Sequence, residues 1–334
     1  EIMPSLVGSE MCIRDRRSCI TLDRDAIDAI EQAFALLATA KVAMPPILRL
    51  DVPEHNGEVD VKTAYLPGLE RFAIKVSPGF FDNPKLGLPS LNGMMMLLSA
   101  RTGLLDALLL DNGYLTAVRT AAAGAVAARW LSRQDSRSVA LIGSGEQARL
   151  QLQALRLVRP IEQVKVWGRD AQRTAALCDD LGRDGQLQVK ACDSVDQAMQ
   201  AVDIAITCTP SREPLIQPHH LQPGLHITAM GSDAEHKNEI APTALARLDR
   251  YVADRLSQTR VLGELHHALR AGAVSQQAVH SELGQIIAGL HPGRVQAEEV
   301  TLCDLTGTGA QDTAIANLAF ERAIAAHKGL AFNS

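Results

Sequence analysis

The sequence predicts an α/β protein in which a doubly wound parallel sheet follows a smaller α+β domain. Two observations lead to this prediction. From residue 138 onward, apolar strand candidates alternate with helical segments, a pattern typical of parallel strands joined by crossover helices. Before residue 112, short β-like runs are separated by Gly, Pro and Asn, which indicates strands joined by turns. The 334 residues are enough for both domains.

The elements are assigned in order along the chain. Asp23 and Asp25 precede apolar residues spaced three or four apart, which predicts an N-capped amphipathic helix. Further helices are expected at 115–132, 146–158, 170–182 and 312–329, and a hairpin turn at 100–103. The strand candidates are 46–52, 58–66, 71–77, 93–99, 104–110, 138–143, 164–168, 187–191, 203–209, 225–231, 250–254 and 300–304.

Composition excludes several classes of protein. Hydrophobic residues make up 46% and charged residues 21%, as in globular proteins with a full core. The net charge of −5 and the dispersed Arg and Lys argue against nucleic-acid binding. The sequence contains no uninterrupted apolar run of about 18 residues, so we expect no membrane span. The six cysteines form no CxxC pair and lie in apolar runs, so we expect a soluble, cytoplasmic protein.

The segment from Ser138 to Leu155 carries a phosphate-binding pattern. Gly143, Gly145 and Ala148 form G-x-G-x-x-A between an apolar strand and a helix. The first glycine permits a tight turn, the second lets backbone approach a pyrophosphate, and the helix N-terminus supplies free N–H groups. This context predicts a Rossmann-type nucleotide-binding domain, with a purely structural turn as the alternative.

The end of the second strand of this domain bears on the choice of cofactor. Many NAD enzymes carry an acidic residue there, which binds the ribose 2′-hydroxyl. This chain has Gly168 and then Arg169, with Asp170 two positions late. Arg169 is suited to pairing with a 2′-phosphate, so NADP is favoured over NAD; the alternative is a solvated loop arginine.

Six segments together resemble the ornithine cyclodeaminase/μ-crystallin family: "MPPILRL", "FAIKVSPGF", "LTAVRTAAAGAVAA", "LIGSGEQARLQLQAL", "HITAMGSDAEHKNEI" and "TGTGAQD". Within that family, the resemblance is strongest to the cyclodeaminase-like branch of bacterial ectoine and hydroxyectoine utilisation. The resemblance implies NAD(P)H chemistry on a small amino acid or imine, and a homodimer.

The resemblance also implies a domain plan. Residues 17–130 with 312–334 would form the substrate-binding and dimerisation domain, closed by the C-terminal helix. Residues 131–311 would form the NAD(P)-binding domain. Residues 1–16 fit neither a signal peptide nor a periodic element, and we expect them to be a non-native leader.

Three cations match the family's substrate-carboxylate positions: Arg49, Lys75 and Arg119. A guanidinium binds a carboxylate through two parallel hydrogen bonds, and an ammonium acts as a point charge. A charge in such apolar stretches needs a partner, and a structural ion pair is the alternative to substrate. Asp233 matches the family's catalytic aspartate, which would accept or donate the proton of the substrate nitrogen. Asp233 and Lys75 are the expected catalytic residues. Its alternative role is capping the next helix.

Lys62 departs from the cyclodeaminases, which carry glutamate at this position. Glu58, Asp60 and Lys62 alternate along a strand and share one face, so neither acid simply replaces the missing carboxylate. An additional cation favours an acidic or N-acylated substrate over a diamine such as ornithine. Imine reduction, or the reverse oxidation of an amino acid, is therefore expected rather than ornithine cyclisation.

Small-residue loops at strand ends complete the expected cofactor site. They follow the strands at 203–209, 225–231 and 300–304, and their alternative role is that of plain turns. The residues expected at the cofactor are Gly143, Ser144, Gly145, Glu146, Gln147, Ala148, Gly168, Arg169, Thr209, Pro210, Met230, Gly231, Ser232, Gly307, Gly309 and Asp312.

Three functions remain open at this point. The first is an NAD(P)H-dependent imine reductase or amino-acid dehydrogenase. The second is a true cyclodeaminase that recycles its nicotinamide, and the third is a non-catalytic, nucleotide-dependent binding protein. No metal site is expected, because His266 and His267 lie on a predicted helix without further ligand spacing.

Overall fold

The computed structural model describes residues 20–183, 185–278 and 280–330, so the expected leader at 1–16 lies outside it. The chain forms two compact units. The first comprises the described residues up to Arg119 and those from Thr308 onward, and the second runs from Thr120 to Gly307. The expected boundaries lay at 130/131 and 311/312. The observed boundary between Arg119 and Thr120 lies inside a continuous helix, Tyr114–Leu131, so the sequence pattern has no break there.

The first unit begins with helix α1, Arg24–Thr39. The Asp23 carboxylate caps it by accepting the Ala26 N–H at 2.9 Å. Ile27, Ile30 and Phe34 on its apolar stripe are buried, as their spacing predicts.

An antiparallel sheet follows, with strands in the order β1-β2-β3-β4-β5. It confirms the five runs predicted before residue 112, and the turn at 100–103 joins the last two, with Gly103 at φ +73°. Short 3₁₀ turns occupy Pro53–His55 and Asn83–Leu86. The strands are β1 Leu48–Val52, β2 Gly57–Ala64, β3 Arg71–Phe80, β4 Met94–Ser99 and β5 Leu105–Leu109.

One face of this sheet is buried under the last helix, named α10 here, Gly309–Ala325. The Thr313 hydroxyl accepts the Ala73 N–H at 3.0 Å and donates to the Ala64 carbonyl at 2.8 Å. A Cβ on Gly309 would lie 2.3 Å from the Thr63 carbonyl oxygen, so only glycine permits this approach. The first turn of α10 is therefore fixed against β2 and β3.

The opposite face of the sheet is apolar and exposed. Leu48 pairs with Val61, and Leu50 pairs with Val59, so these side chains share that face. Leu48 is 61% and Leu50 57% exposed, and Leu108 on β5 is 43% exposed. We call this surface the outer sheet face.

Helix α2, Tyr114–Leu131, carries the chain into the second unit, which is a parallel sheet of eight strands. Their order is β12-β11-β13-β10-β9-β6-β7-β8, and seven of the eight strands confirm predicted runs. The exception, β12, has two residues, too few to leave a periodic pattern. The strands are β6 Ser138–Ile142, β7 Gln163–Trp167, β8 Gln188–Ala191, β9 Ile204–Thr207, β10 His226–Ala229, β11 Arg250–Ala253, β12 Ser281–Glu282 and β13 Thr301–Asp304.

Short helices join these strands. A 3₁₀ turn at Pro218–His220 is added to them. The helices are α3 Glu146–Arg156, α4 Ala171–Gly182, α5 Val195–Met199, α6 Pro242–Leu245, α7 Leu256–Thr259, α8 Glu264–Arg270 and α9 Leu283–Ile287. None of the helices in the described ranges has the length and apolar character needed to cross a membrane.

The central strands β9, β10 and β13 are buried at every residue, and β6 at all but Ser138. Helices cover both faces of such a sheet, so its strands read as continuous apolar runs. Because the strands are parallel, their carboxyl ends lie at one edge. The loops after β6, β9, β10 and β13 are thereby brought to the edge where such folds bind ligands.

Candidate active site

The glycine loop after β6 has the backbone of a phosphate site. Gly143 has φ +131°, and a Cβ there would lie 2.9 Å from the Cys208 carbonyl oxygen. Gly145 is the N-cap of α3 and is exposed, and nothing lies within 4 Å of the position of a Cβ. The α3 N-terminus therefore has no side-chain cap and opens onto free space, which fits a pyrophosphate. Ala148 is fully buried beneath it.

The loop after β7 packs on this glycine loop. A Cβ on Gly168 would lie 2.4 Å from the Ser144 hydroxyl oxygen, so a side chain does not fit there. Arg169 is exposed and makes no ion pair with any described residue. The Asp170 carboxylate accepts the N–H groups of Gln172 and Arg173 at 3.0 Å each, as N-cap of α4. The acidic residue nearest the strand end therefore serves as a helix cap.

The loops after β9 and β10 contain Thr209, Pro210 and the run Met230, Gly231 and Ser232. A buried glutamate that the sequence reasoning did not single out, Glu239, accepts hydrogen bonds from Thr209 and Gly231. After β13, the Gly307 N–H donates to Asp254 at 2.7 Å, and the Gly307 carbonyl accepts from Gln258 at 2.9 Å. Buried carboxylates thus hold each of these expected cofactor loops.

Asp233 follows Ser232 and is half-exposed. Its carboxylate pairs with the Lys237 ammonium at 2.6 Å. The Lys237 carbonyl accepts the His267 Nε2–H at 2.7 Å and the Ser232 hydroxyl. His267, on α8, therefore fixes the loop that carries Asp233, a role that its sequence position does not reveal.

In the first unit, four charged residues meet under α10. They are Lys62, Lys75, Arg119 and Asp312, which we call the Asp312 cluster. Lys62 and Lys75 are cross-strand partners on β2 and β3, and both are buried. The Lys75 ammonium lies 2.9 Å from Asp312 Oδ2, and the Arg119 Nε lies 2.9 Å from Asp312 Oδ1. Arg119 also donates to the Gln311 side chain at 3.1 Å.

Burial dominates the electrostatics of this cluster. The pKa of Lys75 falls to about 7, mainly because of burial. The positive charges of Arg119 and Lys62 also lower this pKa, and the Asp312 carboxylate raises it. For Asp312, burial alone would raise the pKa, but Lys75, Arg119 and Lys62 lower it below its ordinary value. Lys75 and Arg119 therefore share the one carboxylate of Asp312, an arrangement that favours binding of a further anion.

Three expected site residues make contacts that differ from their leading expectation. Arg49 on β1 lies 2.9 Å from the Asp51 carboxylate and also pairs with Glu58, so its charge is already compensated. Gly309 and Asp312, expected at the cofactor, belong to the first unit. Gly309 lies against the Thr63 backbone, and Asp312 holds Lys75 and Arg119.

One group of side chains close enough to hold a metal ion occurs among the described residues: Asp196, His219 and His220. The Gln217 N–H donates to Nδ1 of His220 at 2.9 Å, so the ring proton lies on Nε2, 2.6 Å from Asp196. A metal ion on Nε2 would need that proton on Nδ1, where the Gln217 N–H already points. The group is therefore a hydrogen-bonded cap.

Comparison with known proteins identifies the family. The model of the ornithine cyclodeaminase/mu-crystallin family matches residues 13–327. The chain belongs to this family. A protein of Rhizobium meliloti with the provisional name dehydrogenase is 63% identical over 95% of this chain and 96% of its own length. The iminosuccinate reductase of Paracoccus denitrificans is 33% identical over 92% and 93%.

Solved structures of the family share the fold. An archaeal alanine dehydrogenase dimer with bound NAD has a TM-score of 0.88, at 32% identity over 95% of this chain and 96% of that one. The Thermococcus litoralis delta(1)-pyrroline-2-carboxylate reductase with NADH and L-proline has a TM-score of 0.89, at 29% identity over 95% and 98%. The Paracoccus denitrificans iminosuccinate reductase with NAD⁺ has a TM-score of 0.86, at 30% identity over 96% and 98%.

Members of this family include dehydrogenases, reductases and a lysine cyclodeaminase, and the chain is an NAD-dependent enzyme of this type. The open α3 N-terminus at Gly145, with Gly143 in a conformation that favours glycine, fits a dinucleotide pyrophosphate.

The pKa of Lys75 predicts how stability depends on pH. Its folded value of about 7 lies below the ordinary 10.5, so the unfolded chain binds more protons between those values. The contribution of Lys75 to stability is therefore least favourable below pH 7 and rises as the pH is raised toward 10.5. Relative to Lys75→Met, the free energy of unfolding of the wild type should rise by about 1.4 kcal/mol per pH unit across this range.

Urea titrations of both proteins between about pH 7.5 and 9.5 measure this difference. Lys190→Met, at an exposed lysine on β8, is the matched control and should show no such slope. A difference between wild type and Lys75→Met that stays constant with pH would contradict the buried-charge account.

Proposed function

We propose that the protein is an NAD(P)H-dependent oxidoreductase that reduces a small carboxylated imine, or oxidises the corresponding amino acid. The Asp312 cluster carries this proposal. Two of its buried cations, Lys75 and Arg119, share the single carboxylate of Asp312, and a substrate carboxylate supplies a second negative charge. The reductase and dehydrogenase relatives support the same reaction class.

Within the cluster, Lys75 and Arg119 bind the substrate carboxylate. Asp312 fixes both side chains, so their positions do not depend on the substrate being present. A cation whose burial is costly gains most from a bound anion, which favours Lys75 as the main contact. Arg49 is already paired with Asp51 and Glu58, so it contributes less to binding of the substrate carboxylate than Lys75 and Arg119 do.

Asp233 handles the proton of the substrate nitrogen, as acid in reduction and as base in oxidation. Lys237 holds its carboxylate at 2.6 Å and fixes its direction. When bound, a nicotinamide dinucleotide supplies or accepts the hydride, and this chain supplies orientation and charge.

The cofactor is held by the loop from Gly143 to Ala148, with its pyrophosphate at the α3 N-terminus. For the choice between phosphorylated and unphosphorylated forms, we favour NADP, because Arg169 is exposed and Asp170 caps α4. The relatives with bound cofactor contain NAD, NAD⁺ or NADH, so both forms belong in any assay.

Lys62 refines the substrate class. As the buried cross-strand partner of Lys75, it adds positive charge close to the carboxylate site. We propose that it binds a second acidic group, so the preferred substrate is a dicarboxylic imine rather than a diamine. The likeness to iminosuccinate reductase supports this class. The link to ectoine catabolism stays a prediction from resemblance.

We also propose that two copies pair through the outer sheet face. A sheet face that exposes several leucines is rare on monomers and typical of an interface. The alanine dehydrogenase with bound NAD is itself a dimer, which supports the same assembly.

The first prediction of this proposal concerns turnover. Absorbance at 340 nm should fall when NADPH or NADH is mixed with a carboxylated imine, and equimolar amino acid should form. Asp233→Asn should lower kcat about 100-fold or more, because the proton donor is lost. Asp193→Asn, at an exposed aspartate, is the control. Ammonia released from ornithine without net cofactor change would instead indicate a cyclodeaminase, and tight ligand binding without turnover a binding protein.

The second prediction concerns selectivity. Lys62→Met should raise the KM for a dicarboxylic imine about tenfold or more and leave a monocarboxylic imine little affected, because only the former contacts this ammonium. Steady-state kinetics with both imines measure the ratio, and Lys190→Met is again the control. Equal losses on both substrates would exclude a specific role for Lys62.

The third prediction concerns assembly. Leu50→Asp places a charge on the outer sheet face and should convert the dimer into a monomer, because burying an unpaired carboxylate is costly. Light scattering coupled to gel filtration measures the mass. Leu290→Asp, at a leucine 60% exposed in the second unit, should leave the dimer intact. A wild-type monomer, or a dimeric Leu50→Asp variant, would refute this interface.

A further inference from the structure

Glu239 lies entirely inside the second unit, and its carboxylate joins two loops. Oε1 accepts the Thr209 N–H and the Thr209 hydroxyl, both at 2.7 Å. Oε2 accepts the Gly231 N–H at 2.8 Å. Thr209 follows β9 and Gly231 follows β10, which are neighbouring parallel strands. One side chain therefore fixes the distance between two strand-end loops.

The two loops lie so close together that position 231 has no room for a side chain. A Cβ on Gly231 would lie 2.2 Å from the Thr209 carbonyl oxygen and 2.5 Å from Glu239 Oε2. The glycine leaves room for the carboxylate, and the carboxylate occupies that room. Because the contacts from Thr209 and Gly231 come from donors, both oxygens act as acceptors. An amide at this position would turn an NH₂ group toward one of the loops.

The backbone at Glu239 is itself held by a second buried carboxylate, that of Glu264. Its N–H donates to Glu264 at 3.0 Å, and the neighbouring Ile240 N–H donates to the other oxygen of Glu264 at 3.0 Å. The Glu264 N–H in turn donates to Asp304, the last residue of β13, at 2.8 Å. A chain of buried carboxylates thus connects β13 through α8 to the loops after β9 and β10.

We infer that Glu239 is a positioning residue that sets the two loops to receive the nicotinamide half of the cofactor. This inference rests on the proposed function, in which Thr209, Pro210 and Met230–Ser232 contact that half. The pyrophosphate half binds at the glycine loop after β6, which Glu239 does not touch. Loss of Glu239 should therefore weaken one half of the cofactor selectively, whereas a purely structural role would weaken both.

Calorimetric titration of the full chain with NADH, NADPH and ADP-ribose, which lacks nicotinamide, tests this. Glu239→Gln should bind the preferred dinucleotide about tenfold more weakly or worse, because hydrogen bonds to a charged group are lost. Its affinity for ADP-ribose should stay close to that of the wild type, even where its thermal midpoint falls. Glu298→Gln, at an exposed glutamate, is the control.

A second pair of variants covers the case in which Glu239→Gln does not fold. Thr209→Val removes the hydroxyl donor, and Thr209→Ser keeps it. The Thr209 hydroxyl donates to Glu239 and accepts the Ser211 N–H at 3.2 Å, so its proton is committed to Glu239. Selective loss of dinucleotide affinity in the valine variant alone supports the inference.

The outcomes separate the two proposals. If the wild type binds neither NADH nor NADPH, the proposed function fails. If the wild type binds a dinucleotide, and Glu239→Gln and Thr209→Val bind it as tightly or lose ADP-ribose equally, the positioning role of Glu239 is refuted and the proposed function stands.

Discussion

The arrangement of the first unit depends on the burial of Asp312. A lysine with no exposure to water is costly, and Lys75 is tolerated on β3 because this carboxylate lies 2.9 Å away. Asp312 holds that position because Gly309 and Thr313, one on each side of it in α10, contact the backbone of β2 and β3. Helix packing thereby determines where the positive charge of the site lies.

The second unit meets a different constraint. Loops at the ends of buried parallel strands carry N–H groups that neither the sheet nor water satisfies. Here buried carboxylates accept them: Glu239 for the loops after β9 and β10, Asp254 for Gly307, and Asp304 for the start of α8. The same groups that keep the edge satisfied also keep it in one shape, which suits a cofactor site.

Much of this fold follows from local sequence patterns. Apolar period predicted every described strand except β12, whose two residues carry no period, and the glycine pattern at 143–148 predicted the turn between β6 and α3. The family resemblance singles out Lys75 and Arg119, and a charge in an apolar run needs a partner. Their partner could not be singled out, because Asp312 lies far away in sequence and its contact depends on how α10 packs.

The same limit applies to Arg49 and Glu239. Asp51, Glu58 and Arg49 are near in sequence, but only the register of β1 on β2 brings their charges together. Glu239 stands in "HKNEI", where a lone acid reads as a surface residue. Its burial follows from the folding of the 230–240 segment onto α8, which no short-range pattern encodes.

The order of elements along the chain has a consequence for biosynthesis. The second unit is one continuous segment, whereas the first needs α10, which is synthesised after the whole second unit. Until then Lys75 and Arg119 have no Asp312 beside them, and the inner face of the antiparallel sheet has no helix to cover it. The nascent chain can therefore complete its second unit before the Asp312 cluster of its first unit can form.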